Sequence, residues 1–124
     1  MSDVENQNSN NGVRRCVFLD RDGVINEKAP EGKYIMSWEE FRFLPGVRDA
    51  IKRINDANYL TVIITNQRGI ARQLMTIEAL KDIHERVIEE LRASRASIDG
   101  IQFCPHDKFE RCGCRKPEPG MLLN

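Results

Sequence analysis

Val13-Arg14-Arg15-Cys16-Val17-Phe18-Leu19-Asp20-Arg21-Asp22-Gly23 is the stretch on which the reading of this chain turns. An apolar run breaks off abruptly at Asp20, as expected of a buried parallel strand that displays a polar group at its C-terminal edge. Two carboxylates two residues apart can then face one crevice while the chain turns, and Gly23 permits an unusual backbone angle there. Such carboxylates repel unless a cation shields them or their protonation states differ. The pattern suits one ionised nucleophile and one proton donor, with a divalent cation close by. Oxygen-only ligation favours magnesium, Mg2+, which binds through one or two carboxylates plus phosphate. A solvated Asp-x-Asp-Gly turn has the same composition, because Asp and Gly are common turn residues.

Further along, Leu60-Thr61-Val62-Ile63-Ile64 is a second buried-strand run, ending at Thr65-Asn66, and Ile98 to Phe103 is a weaker third strand. Between the first two, Ser37-Trp38-Glu39-Glu40 has capping-box spacing and predicts a short helical turn. Pro45 suits a first helical position; Val47, Ala50, Ile51, Ile54 and Ala57 follow helical spacing up to Asn58, a left-handed stop. Thr76 can cap a later helix with the apolar face Ile77, Leu80, His84, Val87 and Leu91, where His84 reads as a packed histidine. Trp38 reads as packing, and Cys16 as a small buried apolar residue. Strand, helix, strand, helix, strand implies an α/β fold with a parallel sheet and right-handed crossovers. Ligands of such sheets sit at the strands' C-terminal ends, so Asp20, Asp22, Thr65, Asn66 and Lys116 should converge.

The 124 residues are 40% apolar and 31% charged with a formal net charge of zero. Balanced charge provides no long-range attraction for nucleic acid or an anionic membrane. No apolar run approaches the roughly 20 residues of a spanning helix. Residues 1–12, rich in Asn and Ser, read as a disordered tail without the regions of a signal peptide, so a cytoplasmic protein is expected.

Cys104, His106, Cys112 and Cys114 form Cys-x-His-x5-Cys-x-Cys. Four such ligands match a closed tetrahedral Zn2+ site, structural because no coordination position is left open. Zinc there would staple the loop just before Arg115 and Lys116. A reduced, metal-free loop is the alternative, with thiolates that repel one another and oxidise readily.

Phe18-Leu19-Asp20-Arg21-Asp22-Gly23-Val24, Ile63-Ile64-Thr65-Asn66-Gln67 and Arg115-Lys116-Pro117 resemble, in order, the first three motifs of the haloacid dehalogenase superfamily. The resemblance runs from about Val13 to Asn124 and implies a Rossmann-like parallel sheet with flanking helices. It implies that Asp20 attacks phosphorus and forms an aspartyl-phosphate, and that Asp22 protonates the leaving alcohol and then activates water. By the same resemblance the Asp20 carboxylate and Asp22 carbonyl ligate magnesium, Thr65 and Asn66 belong to the phosphate-binding set, and Lys116 neutralises the phosphoryl charge.

Asp20 to Asn26, Asn66 to Arg72 and Cys114 to Met121 resemble the heptose bisphosphate phosphatases within that superfamily, which serve nucleotide-activated heptose for surface glycans. The related histidinol-phosphate phosphatases share the zinc loop, and the five-residue spacer between His106 and Cys112 looks more like theirs. The implied ligand is a small phosphorylated metabolite, a sugar bisphosphate, with Arg72 and Arg115 as contacts for its distal phosphate or hydroxyls. Arg68 stands where a small residue is common in the family. The segment from Gly23 to Trp38 is too short for a large cap domain. The family's fourth, acidic motif should lie beyond Lys116, so residues 13–124 are expected to form a C-terminally incomplete domain whose exposed sheet edge could self-associate. A catalytically weak zinc-binding fragment, or one half of a split protein, is the other expectation.

Overall fold

The computed structural model describes residues 15–106, 116 and 120–122. Three parallel strands, β1 (Cys16–Leu19), β2 (Leu60–Asn66) and β3 (Gly100–Cys104), make a sheet in the order β1-β2-β3. Helices α1 (Val47–Asp56), α2 (Arg68–Ala71) and α3 (Ile77–Ala93) connect them, with 3-10 turns at Trp38–Glu40 and Gly120–Leu122. The tail and the expected ligands Cys112 and Cys114, together with Arg115, lie outside the described residues.

The core follows from register. Leu19 is level with Ile63, and Ile63 with Ile101, so these side chains share one face of the sheet. On that face they pack with Ile51 of α1 and Leu80, Ile83, Val87 and Leu91 of α3, all nearly or wholly buried. Strand β2 alternates strictly: Thr61, Ile63 and Thr65 are buried, while Leu60, Val62, Ile64 and Asn66 are only half-buried. Phe18 is 45% exposed, and Cys16 is half-buried. The expectation of strands buried on both faces, with an interior Cys16, is corrected here. Among the described residues, the core packs on only one face of the sheet.

Local chemistry moves several helix ends. Gly46 takes φ 82 and ends the turn before α1, so Pro45 stays outside the helix and Val47 begins it. Asn58, at φ 69, is the expected left-handed residue after α1. The Ser37 side chain makes no capping bond; Glu40 Oε1 instead accepts from Met36 N at 2.8 Å, one residue further back. Thr76 caps α3 as its sequence suggests, its Oγ1 accepting from Ala79 N at 3.0 Å. The third strand begins at Gly100 instead of Ile98, because Asp99 Oδ2 accepts from Thr61 N and Asp99 N donates to Thr61 O.

The loop after β1 is tied down by Glu27 N to Arg42 O (2.8 Å) and Leu44 N to Ile25 O (2.9 Å). Trp38, Phe41 and Phe43 pack there as an aromatic cluster with neighbouring centroids 5.1–6.5 Å apart. Gly69 in α2 permits close approach to this loop, since a Cβ on it would sit 3.3 Å from Tyr34 Cγ. The C-terminal ends of β1 and β2 therefore open onto one cleft.

Candidate active site

Past the end of β1 the chain folds back on itself. Arg21 O accepts from the amides of Val24, Ile25 and Asn26, Gly23 N donates to Asn26 O at 2.7 Å, and Gly23 takes φ +88. This turn sends Asp20 and Asp22 toward the same cleft of about 460 Å³, which Lys28, Lys33, Tyr34, Asn66, Gln67, Arg68 and Lys116 also line. Four cationic side chains face two carboxylates there, a balance that favours an anionic ligand.

The two carboxylates are held differently. Asp20 is half-exposed; its Oδ1 accepts from Arg21 N at 2.8 Å and pairs with Lys116 Nζ at 2.7 Å. Lys116 is itself fixed: its Nζ donates to Ile64 O at 3.2 Å and its backbone N donates to Asn66 Oδ1 at 3.0 Å. Asp22 Oδ1 accepts from Arg21 Nη2 (2.7 Å), Arg21 Nε (3.2 Å) and Asn26 Nδ2 (3.0 Å), while Oδ2 accepts from Gln67 Nε2 (3.1 Å). Both Asn26 Nδ2 hydrogens are used, the second on Glu27 O, and the buried Asn26 Oδ1 has no partner among the described residues. A buried unpaired acceptor costs about 1–3 kcal/mol, so the grip on Asp22 is kept at the expense of stability.

Behind Asp22, Arg21 is wholly buried. Its Nη1 lies 3.1 Å from His84 Nε2 and its guanidinium sits 5.7 Å from the Phe41 ring centroid. His84 is packed as its helical position suggests, tilted against Phe103. Burial, followed by the nearby Arg21 cation, lowers the His84 pKa from 6.5 to about 3, with the Asp22 charge opposing. The imidazole is therefore neutral and Nε2 accepts from the guanidinium.

Of the residues expected to converge, Asp20, Asp22, Asn66 and Lys116 line one cleft. Thr65 does not line it: the side chain is 1% exposed and its Oγ1 accepts from Gln67 Nε2 at 2.8 Å. Arg72 is the residue after α2 and is likewise not on the cleft. The cations among the described residues that do line it, besides Lys116, are Lys28, Lys33 and Arg68; Arg68 stands out in the sequence as a large residue in a small residue's place. Gln67, which bridges Asp22 and Thr65, is the last residue of the second motif and was not among the expected site residues. Cys104 is buried with its Sγ 3.4 Å from His106 Nδ1. No group of three or more potential metal-ligating side chains occurs among the described residues. Nor is any helix among them long and apolar enough to cross a membrane.

The polynucleotide kinase 3 phosphatase family profile matches residues 15–124. The chain belongs to this family. Its fold is haloacid-dehalogenase-like, as the three strand-end motifs imply. A D-glycero-alpha-D-manno-heptose-1,7-bisphosphate 7-phosphatase from Mycobacterium tuberculosis is 42% identical over 113 residues, covering 91% of this chain and 59% of the relative. A D-glycero-beta-D-manno-heptose-1,7-bisphosphate 7-phosphatase from Rhodopseudomonas palustris is 40% identical, covering 90% of this chain and 64% of the relative. The crystal structure of D,D-heptose 1.7-bisphosphate phosphatase from B. bronchiseptica, complexed with magnesium and phosphate, superimposes with a TM-score of 0.81 at 38% identity. It matches 87% of this chain and 59% of that one. The chain thus spans about three fifths of the length of the curated relatives it matches.

Proposed function

We propose that this chain carries the catalytic strand ends of a magnesium-dependent phosphomonoesterase that works through an aspartyl-phosphate. Its substrate would be a sugar bisphosphate, D-glycero-D-manno-heptose 1,7-bisphosphate, from which it removes the 7-phosphate in the supply of nucleotide-activated heptose. The observation that carries this reading is the placement of Asp20, in contact with Lys116 at 2.7 Å, beside a separately clamped Asp22 on a cation-rich cleft. The similarity to heptose bisphosphate phosphatases of both anomeric classes supports the substrate class and leaves the anomer open.

In this reading an Asp20 oxygen attacks phosphorus as the bond to the leaving alcohol breaks, and the proton of Asp22 passes to that alcohol. Asp22 then takes a proton from the water that hydrolyses the intermediate. Oδ1 of Asp22 already accepts three hydrogen bonds, so Oδ2 is the oxygen that carries the proton. Lys116 offsets charge on the phosphoryl oxygens. Thr65 and Asn66 complete the phosphate cradle once substrate draws on the Gln67 bridge, and Arg72 and Arg115 remain candidates for the distal group. The half-exposed Asp20 carboxylate and the Asp22 carbonyl form an oxygen-only donor set that suits magnesium, which when bound supplies further positive charge at the phosphate.

Cys104 and His106, close together at the end of β3, fit two corners of a structural zinc site completed by Cys112 and Cys114, provided the cysteines are reduced. A cytoplasmic location suits such thiols and a sugar phosphate substrate. Residues 13–124 are proposed to act as one phosphatase domain, and 1–12 as a tail.

The test is magnesium-dependent phosphate release by the full chain from both anomers of heptose bisphosphate, from histidinol phosphate and from a 3′-phosphorylated oligonucleotide, with Asp20→Asn as control. Release from one heptose anomer, abolished by Asp20→Asn, is expected. Preference for histidinol phosphate or the oligonucleotide would overturn the substrate. No release from any, with one zinc per chain found by metal analysis under reducing conditions, would favour a metal-binding fragment or half of a split protein.

A further inference from the structure

Arg21 is the second of the three residues in the catalytic turn, yet it points away from the cleft into the core, where it is 0% exposed. A buried guanidinium is costly unless its donors are satisfied, so what it touches shows what it is for. Two donors, Nε and Nη2, fork onto one oxygen of Asp22, and a third, Nη1, ends on His84 Nε2 at 3.1 Å. The Phe41 ring covers the guanidinium. His84 comes from α3, 63 residues away in sequence, and also packs against Phe103 of β3. The helix on the core side of the sheet is thereby connected to the catalytic carboxylate through one planar cation.

We infer that His84 and Arg21 are positioning residues for proton transfer: His84 Nε2 fixes the guanidinium, whose fork saturates Asp22 Oδ1 and leaves Oδ2 to give and take the proton. This rests on the phosphatase reading given above. Burial beside a cation keeps the imidazole neutral and so able to accept. An Arg serving only to fill the core would need no link to a catalytic carboxylate, and Asn26 Nδ2 donates to the same Asp22 oxygen as the fork. Without His84, Nη1 loses its acceptor in a dry interior, and the guanidinium turns to find another. The fork then opens, and Asp22 can rotate.

The proposal separates from a general structural role through the leaving group. A sugar alkoxide needs the Asp22 proton and a nitrophenolate does not, and positioned proton transfer contributes about 10²–10⁴-fold. In the first turnover, where only the proton given to the leaving group counts, His84→Leu with full magnesium should slow alcohol release from the heptose bisphosphate about tenfold with little change in substrate affinity, and leave nitrophenolate release from p-nitrophenyl phosphate within about threefold. His84→Gln, whose Oε1 can accept the same hydrogen bond, should restore most of the loss. Equal first-turnover losses on both substrates, a change confined to substrate affinity, no change at all, or a His84→Gln as poor as His84→Leu would each overturn it.

Nitrogen-15 NMR keeps the test independent of turnover. The wild-type chain should show His84 as the neutral tautomer protonated on Nδ1 and a slowly exchanging Arg21 Nε–H, kept in His84→Gln and lost in His84→Leu. A proton on Nε2 refutes the inference, as does an Arg21 signal indifferent to both variants. If wild type releases no phosphate from any substrate, the phosphatase reading fails on that result, while these spectra still decide the linkage. Should His84→Leu not fold, the wild-type tautomer and His84→Gln decide it.

Discussion

Acidification should destabilise this chain through His84, by an amount that follows from its burial. The imidazole has a pKa of 6.5 in the unfolded chain and about 3 in the fold, where desolvation and the Arg21 cation oppose its charging. Because the folded value is depressed, the unfolded state binds the extra proton. The contribution to stability is complete above pH 6.5 and is lost as pH falls toward 3. Between pH 7.5 and 5.0 a shift of this size costs about 2 kcal/mol, since each pH unit below 6.5 removes roughly 1.4 kcal/mol. The assay is urea unfolding at both pH values, followed by the fluorescence of Trp38, the single tryptophan. His84→Gln, measured alongside, subtracts every other titrating group. The wild type should lose about 2 kcal/mol more than His84→Gln over this interval. A difference below about 0.5 kcal/mol would mean that His84 is not held neutral against Arg21, and would refute the reasoning.

Replacing Gly23 with Ala should cost about 1–2 kcal/mol in urea unfolding, because φ is +88 and the new Cβ would sit 3.0 Å from Lys28 Cδ. Leu80→Ala, at a fully buried position of α3, should cost about 2–5 kcal/mol by the same measurement. Lys116→Met should lower kcat at least about 10²-fold in phosphate-release assays while α3 and the core remain folded by circular dichroism, since it removes the cation 2.7 Å from Asp20. Thr65→Val should destabilise by about 1–3 kcal/mol, because Gln67 Nε2 loses a buried acceptor.

The parts of this molecule that declare themselves in its sequence are those written in local patterns. Apolar runs that end at Asp20 and at Thr65-Asn66 locate β1 and β2, and Thr76 and Asn58 mark helix ends by their own side-chain and backbone preferences. Periodicity reveals less about how many faces of a strand are covered, since Val62 and Ile64 look as apolar as Ile63 but are only half-buried. A four-residue helix such as α2 is too short to show a period, and Lys28 and Lys33 reach the cleft from a loop that has none. The least legible feature is Arg21. Arginine is ordinarily a surface residue, and the histidine that makes its burial tolerable stands in α3, 63 residues further on. Thr65 shows the same difficulty in reverse, a strand-end hydroxyl that turns inward to Gln67 when the motif alone would aim it at phosphate.

The Lys116 contacts have a consequence for how the protein comes into being. A ribosome releases Asp20 and Asp22 about a hundred residues before the lysine that neutralises Asp20, and the lysine is seated by Ile64 and Asn66 of the middle strand. A nascent chain that has emerged only as far as β2 therefore carries Asp20 without its counter-charge. On the phosphatase reading proposed above, turnover begins only once Lys116 is seated, so a burst of turnover timed against translation would read out that moment.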